Sequence, residues 1–194
     1  ESPLGHIYTG YYAVMAQRYW QIFGKAEESF RRTLAEISVK HHGYARMNPW
    51  AHAPMKITVE DVLKSPVVAY PLRALDCCLM SVGAACAIIC DEDTAIELTR
   101  NSKNKPLRIW VAAGSHTLRP ADRRHMEIPL LPHETPDQYK DLGKRFPGGG
   151  RYPGFSGFLA ARMAAYYGYG MSGITNPLND LDVVELHDAF TISD

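Results

Sequence analysis

The sequence predicts an α/β protein in which helices are layered with buried strands, preceded by a helical cap region. In the N-terminal third, apolar residues recur at spacings of three and four, the period of an amphipathic helix. Two continuous apolar runs, 84–90 and 107–113, are typical of strands that are buried on both faces. A small-residue-rich helix at about 155–167 then precedes a third apolar run, "DLDVVELHD". Strand, helix and strand in this order indicate a parallel crossover.

Three helices are predicted ahead of the first apolar run. The first covers "YTGYYAVMAQRYWQIFGK" and closes at Gly24. The second lies in "KAEESFRRTLAEISVKHHGYARMNP", where His41 and His42 are interpreted as cations at the helix end. The third begins at Thr58, which forms a predicted capping box with Asp61, and ends at the Pro of "KSP". These helices make a thin layer that we expect to pack on another part of the protein.

Composition and charge narrow the classes of function. The chain has 194 residues, with 21 basic and 21 acidic side chains. This balance argues against a general nucleic-acid binder, because such proteins neutralise phosphates with clustered Lys and Arg. No apolar run approaches the roughly 20 residues that span a bilayer, and "ESPLGHIYTG" does not have the pattern of a secretory signal. We therefore predict a cytoplasmic protein that does not bind membranes.

The four cysteines are predicted to be reduced and mainly buried. Cys77 and Cys78 are adjacent, which is a poor geometry for a disulfide, and Cys86 and Cys90 lie in the apolar run that follows. No pair has the C-x-x-C spacing of a metal site. We predict no bound metal.

Residues 114–153 form a long stretch rich in Pro, Arg, His and Gly that ends in "RFPGGGRYPGF". A loop of this length inside a compact domain is usually functional or mobile. A nucleotide loop is not favoured, because no strand precedes the glycines and no Gly-Lys-Ser/Thr follows them. A lid or a partner-binding insertion is the better interpretation.

The polar end of "DVVELHDAF" is the strongest candidate site. His187 and Asp188 follow apolar residues of a predicted strand, a place where a buried core would exclude them. One interpretation is that the strand carries an imidazole to the edge of the sheet, where a reaction occurs. The alternative is a strand that ends in an ordinary polar turn.

Several strings, in this order, resemble the thiolase superfamily: "MAQRYW", "AEISVKHHGYARMNP", "ITVEDVLKSPVVAYPLRALDCC", "SVGAACAII" and "DLDVVELHDAF". They are most similar to thiolases of the sterol-carrier-protein and archaeal acetoacetyl-CoA types. The resemblance implies a layered α-β-α-β-α architecture, of which this chain is an internal fragment. Residues 1–66 would be a helical cap and loop region, 67–93 the last strand region of the N-terminal half, and 94–194 the start of the C-terminal half, with an insertion at 114–153. The regions that carry the nucleophilic cysteine and the Gly-His and Cys-x-Gly motifs would lie outside it.

The resemblance also implies an activity and roles for particular residues. The intact protein would cleave or form a 3-oxoacyl-CoA, with coenzyme A as a substrate and no bound cofactor. His187 would help to form the oxyanion hole, and Asp188 would orient the loop. Cys78, Met15 and Tyr12 correspond to positions near the substrate channel, although each could instead be a core residue. Val82 departs from the family, which commonly has Asp at this position.

Partners and competing functions follow from the same resemblance. A homo-oligomer is expected, and a small OB-fold or zinc-ribbon protein is a possible partner. A thiolase-fold retro-aldolase that splits a β-hydroxyacyl-CoA is an alternative, for which the histidine of "HDAF" is less typical. A second alternative is an inactive structural fragment, since the chain by itself is expected to lack the nucleophile.

Overall fold

The structure is a computed structural model that describes residues 8–23, 26–106, 109, 112, 130–135, 137 and 158–193. Contacts divide the chain into two compact units. Of the described residues, the first unit contains 8–81 and 183–193, and the second contains those from 82 to 137 and from 158 to 182. The predicted domain boundaries follow the family's two halves instead and stay predictions.

The helices of the first unit are α1 (Tyr8–Phe23), α2 (Glu27–Ala45) and α3 (Val59–Lys64). All three were predicted, and the predicted capping box of α3 is present. Thr58 Oγ1 accepts a hydrogen bond from Asp61 N at 3.2 Å, and Asp61 Oδ2 accepts one from Thr58 N at 2.8 Å. Reciprocal bonds of this kind satisfy backbone donors at the helix start, so the boundary follows directly from the local sequence.

A small antiparallel hairpin follows α3 and was not predicted. It consists of β1 (Val67–Ala69) and β2 (Leu72–Arg73), and a short 3-10 helix, Ala74–Asp76, comes directly after it. The core of the unit forms where α1, α2, the hairpin and the C-terminal segment meet. Its buried members are Ala13, Ala16, Phe30, Leu34, Leu72 and Phe190.

Two predicted buried strands are wrong in the described part of the chain. Residues 84–90 form no strand and are exposed, with Ile88 85% accessible. The run that ends at His187 is likewise exposed from 182 to 187 and joins no sheet. A strand needs a neighbour for its backbone hydrogen bonds, and apolar composition alone does not say where that neighbour lies. The predicted strand at 107–113 falls almost wholly outside the described residues.

The exposed stretch also corrects the prediction for the cysteines. All four are free, but Cys78, Cys86 and Cys90 are exposed, and Cys77 is half-buried. Burial was inferred from the apolar neighbours, and those neighbours are themselves exposed.

The second unit is helical in its described part, with α4 (Glu92–Thr99), α5 (Leu159–Ser172) and α6 (Pro177–Asp180). The predicted helix near 155–167 corresponds to α5, which continues to Gly173, where a φ of 72° gives the left-handed end that glycine favours. The predicted insertion at 114–153 lies mostly outside the described residues. The described chain is therefore a mixture of helices with one small sheet, consistent with the α/β class.

Candidate functional site

The residues that follow His187 form a turn that is bonded to the rest of the first unit. We call Asp188, Ala189, Phe190 and Thr191 the docked turn. The amide of Cys78 donates a hydrogen bond to the carbonyl oxygen of Ala189 at 3.0 Å, and Cys77 and Phe190 form an antiparallel bridge. The "DCC" segment and the docked turn thus run side by side in a fixed register, although they lie more than a hundred residues apart in sequence.

A buried carboxylate fastens the far end of the docked turn. Asp76 Oδ1 accepts a hydrogen bond from Thr191 Oγ1 at 3.2 Å, and Asp76 Oδ2 accepts one from Arg73 N at 2.9 Å. Burial raises the pKa of Asp76, while the bonds from Arg73 and Thr191 act in the opposite direction. These bonds compensate part of the cost of removing the carboxylate from water.

An aromatic side chain anchors the middle of the docked turn. Phe190 is buried and stacks on Tyr12 of α1, with ring centroids 4.3 Å apart and planes 26° from parallel. Stacking of the two rings adds to the burial of Phe190, so this contact binds the turn to α1 as well as to the "DCC" segment.

One face of helix α2 contacts both paired segments, the docked turn and the chain just before "DCC". His41 Nδ1 contacts Asp188 Oδ2, and the two side chains are only 24% and 25% exposed. One turn earlier, the Ser38 hydroxyl donates a hydrogen bond to the carbonyl oxygen of Leu75 at 2.5 Å. Residues three apart lie on the same helix face, so Ser38 and His41 fix the two segments against a single rigid element.

His187 comes directly before the docked turn, and its side chain is exposed. The next side chain, Asp188, points toward α2. The two adjacent side chains therefore have different environments, His187 exposed to water and Asp188 in contact with α2. The turn can therefore hold the His187 backbone firmly while the ring stays accessible.

The thiol of Cys77 lies on the core side of the docked turn. Its Sγ donates a hydrogen bond to the Arg73 carbonyl oxygen at 3.2 Å. Burial raises the pKa of the Cys77 thiol to about 11, with smaller contributions from Asp76 and Cys78. A thiol with so high a pKa is a poor nucleophile at neutral pH, so Cys77 is a packing residue in this arrangement.

Ser81 lies beside Val82, where the family resemblance leads one to expect an aspartate. The Ser81 hydroxyl and His52 Nδ1 are 2.6 Å apart. This contact joins the loop after α2 to the segment that follows the "DCC" pairing, and both side chains are exposed.

Comparisons with known proteins identify the relatives of the chain. It is 33% identical over its whole length to the acetyl-CoA acetyltransferase of Methanothermobacter thermautotrophicus, of which it spans 40%. It is 32% identical to the benzoylsuccinyl-CoA thiolase subunit BbsB of Thauera aromatica, over all of the chain and 40% of that protein. The 17-hydroxy-3-oxo-4-pregnene-20-carboxyl-CoA lyase of Mycobacterium tuberculosis is 34% identical over 52% of the chain and 24% of its own length. No protein-family model matches, and no solved structure matches.

The chain belongs to the thiolase superfamily. The resemblance inferred from the ordered strings is thereby confirmed. The chain spans about 40% of the length of the two thiolase relatives that it matches from end to end.

The predicted site residues of this thiolase-related chain divide into two groups. His187, Asp188, Cys78 and Tyr12 lie in or against the docked turn, with Cys78 exposed and Tyr12 stacked on Phe190. Met15 is buried on α1, 3% exposed. Their roles in the thiolase reaction stay predictions.

The sequence analysis does not identify two residues that hold the docked turn, His41 and Asp76. The sequence interpretation of His41 is a helix-end cation, although His41 lies three residues after Ser38, on the helix face of the buried residues Phe30, Leu34 and Ser38. A histidine on such a face indicates a contact rather than a solvated charge. Asp76 carries no comparable signal, because its partner Thr191 is distant in sequence.

Two further observations concern the part of the chain that the structure describes. Within those residues, no three His, Cys, Asp or Glu side chains are arranged to share a metal ion. None of the helices described above is long and apolar enough to cross a bilayer.

Proposed function

We propose that this chain is part of a thiolase-type acyl-CoA acyltransferase, which cleaves a 3-oxoacyl-CoA with coenzyme A or forms one by Claisen condensation. The observation that carries the proposal is the match of the whole chain to an acetyl-CoA acetyltransferase and to a thiolase subunit. Coenzyme A enters this reaction as a substrate, and no resident cofactor is required by it.

In this proposal His187 donates a hydrogen bond to the thioester oxygen of the substrate. Negative charge develops on that oxygen when a proton is removed next to the thioester or when a tetrahedral adduct forms. A fixed donor lowers the barrier by about 3–4 kcal/mol where water is excluded, and for the exposed His187 ring the rest of the enzyme would have to exclude it. The docked turn supports this role, because its bonds to Cys78, Asp76 and His41 hold the backbone next to the imidazole.

The proposal also assigns the exposed apolar stretches to the layers of the whole enzyme. Residues 84–90 and 182–187 would pair with strands from parts of the protein outside this chain, in an α-β-α-β-α arrangement. The nucleophilic cysteine, the Gly-His motif and the Cys-x-Gly motif would come from those same parts. The exposure of Ile88 and Val183, 85% and 77%, supports this assignment, because large apolar side chains on a folded protein are rarely left so open in continuous runs.

The partners proposed for the intact protein are an acyl-CoA substrate and a second copy of itself. One relative is named as a subunit of a thiolase, which supports association with another chain, and a small OB-fold or zinc-ribbon protein is our candidate. We propose a cytoplasmic enzyme without nucleic-acid or membrane partners, and we expect residues 1–194 alone to be inactive.

The test is a thiolysis assay on the complete gene product that contains these residues. Acetoacetyl-CoA and coenzyme A are supplied, and loss of the 3-oxoacyl thioester is followed. We expect His187→Ala to lower kcat by about 10²–10³-fold, because it removes an oxyanion donor. His133→Ala, a change at an exposed histidine of the second unit, is the matched control and should leave kcat within about twofold. An active parent whose rate is unchanged by His187→Ala would contradict the proposed role.

A retro-aldolase is the second candidate, favoured by the match to a protein named as a CoA lyase over 52% of the chain. Such an enzyme releases an aldehyde or ketone from a β-hydroxyacyl-CoA without added coenzyme A. Measuring carbonyl release with and without coenzyme A separates the two reactions. Release that does not depend on coenzyme A, together with no thiolysis, would replace the acyltransferase with the aldolase.

A further inference from the structure

We infer that His41 is a positioning residue for His187 and acts through the carboxylate of Asp188. The inference rests on the proposed function, since it concerns the donor that His187 supplies. Its basis is a contact between two elements that are distant in sequence: His41 Nδ1, in the last two turns of α2, meets Asp188 Oδ2, next to His187.

The Asp188 carboxylate depends on this contact. Asp188 Oδ1 is buried and has no hydrogen-bond partner among the described residues. The contact that the carboxylate makes is the one between its other oxygen, Oδ2, and His41 Nδ1. Removing the imidazole would leave a carboxylate that is three-quarters buried without compensation. A charge in that position is strongly disfavoured, and the side chain would turn toward water and carry its backbone with it.

The displacement would reach His187 while the rest of the docked turn stays in place. Ala189 is bonded to the Cys78 amide, Phe190 is stacked on Tyr12, and Thr191 is bonded to Asp76. None of these contacts involves His41. Losing the imidazole therefore frees the end of the turn that carries His187, and the fold of the first unit remains.

The neighbouring histidine provides a matched control. His42 Nδ1 lies 3.0 Å from the Ser38 carbonyl oxygen of the same helix, and this contact stays within α2. His41→Ala and His42→Ala remove the same group from adjacent positions of one helix turn. Only the first removes a contact with the docked turn.

The experiment measures kcat and KM for thiolysis of acetoacetyl-CoA by the complete gene product. We expect His41→Ala to lower kcat by about 10–100-fold, the cost of misplacing a catalytic group by about 1 Å, and to change KM less than about twofold. His41→Asn should restore most of kcat, because its amide nitrogen can donate near the position of Nδ1. His42→Ala should stay within about twofold of the parent.

A second pair of variants tests whether the effect passes through His187. With His187→Ala already present, adding His41→Ala should change kcat by less than about twofold, because the group to be positioned is gone. An equal loss in both backgrounds would overturn the inference, because His41 would then act on something other than His187.

Backbone order parameters from ¹⁵N relaxation test the positioning step independently of activity. The order parameters of His187 and Asp188 should fall from about 0.85, the value of a rigid backbone, toward about 0.6 in His41→Ala, and those of α1 should not change in that variant or in His42→Ala. Unchanged order parameters at His187 and Asp188 would overturn the inference even if kcat fell. If the parent shows no thiolysis, the proposed function fails, whereas a lower order parameter at these two residues in His41→Ala would still establish that this histidine holds the turn.

Discussion

The core of the first unit and the apolar stretches at 79–90 and 182–187 have similar side chains in opposite environments. Leu72 and Val62 are 0% and 1% exposed, whereas Val82 and Leu186 are 106% and 61% exposed. The core side chains lie on helices, on a two-residue strand or in the docked turn. The exposed side chains lie on segments without helix or sheet in the described part of the chain.

This difference shows how far local sequence can determine a fold. A helix satisfies its backbone hydrogen bonds within one segment, so α1 and α2 can form and then bury their apolar faces against each other. A strand leaves its donors and acceptors open until another strand arrives. An apolar run with no partner strand among the described residues therefore stays without regular structure and accessible.

The largest expected effect comes from a matched pair of leucines. Leu72→Ala should lower the free energy of unfolding of the chain by about 2–5 kcal/mol, because it opens a cavity in a fully buried site. Leu186→Ala should change it by less than about 0.5 kcal/mol, because that side chain is already in water. Urea unfolding of residues 1–194, followed by circular dichroism, measures both values.

The same pair can test the layered arrangement that we propose for the whole enzyme. In the complete gene product Leu186→Ala should become costly, by about 2 kcal/mol or more, because its strand would then be buried. Equal and small effects of Leu186→Ala in the two proteins would refute that arrangement. Equal effects of Leu72→Ala and Leu186→Ala in the isolated chain would remove the contrast between the two regions.

The cysteines allow a smaller contrast to be measured by chemistry. At pH 9 about half of an ordinary thiol with a pKa of 9.0 is ionised, but only about 1% of a thiol with a pKa of about 11. Iodoacetamide should therefore alkylate Cys77 in the folded chain about 50-fold more slowly than in the unfolded chain. Mass spectrometry of the peptides gives the rate at each site.

The sign of the accompanying pH effect on stability is fixed by the same shift. Between pH 9 and about 11 the unfolded Cys77 thiol loses its proton while the folded one keeps it. The contribution of Cys77 to stability is therefore present below pH 9 and is lost as the pH rises toward 11. Cys77→Ala should remove this part of the pH dependence, whereas Cys86→Ala, at an exposed site, is the control. Folded Cys77 that reacts as fast as the unfolded thiol would contradict the assignment of this residue to the core.

The helical part of the fold was predictable because its signals are local. The stripe of α2 and the capping box at Thr58 each lie within one segment. The glycine that ends α5 is also a local signal, although the predicted helix stops at about 167, before it. The hairpin β1–β2 was not predicted because its strands have three and two residues, too few for a period to be read. The apolar runs were assigned to strands from composition, which records a preference for burial but not the partner that would provide it.

Only the "HDAF" segment of the candidate site could be predicted from the sequence, not the residues that bond to it. "HDAF" attracts notice because polar residues end an apolar run, and the structure bonds the residues just after His187 to the first unit. The groups that do the bonding come from elsewhere: His41 from α2, and Asp76 and Cys78 from the segment after the hairpin. Contacts over 111 to 147 residues of sequence cannot be inferred from the spacing within any one segment.

The smallest expected effect tests whether neighbouring residues alone set the start of helix α3. Thr58→Ala removes the oxygen that accepts from Asp61 N, and it should cost about 1 kcal/mol in urea unfolding. Hydrogen bonds from Thr58 lower the pKa of Asp61, so the variant should also bring that pKa back toward its ordinary value in an NMR titration. The sign follows: this contribution to stability is present above the ordinary pKa of Asp61 and is lost as the pH falls through the lowered one.

Two controls make the Thr58 result specific to the cap. Thr58→Ser keeps the hydroxyl and should retain most of the stability, and Thr175→Ala changes an exposed threonine outside any capping box. A cost confined to Thr58→Ala would show that the start of α3 is specified by four neighbouring residues, Thr58 to Asp61. An equal loss in Thr58→Ser would mean that the methyl group, through packing, sets this boundary. The N-terminal helices would then depend on tertiary contacts as the apolar stretches do.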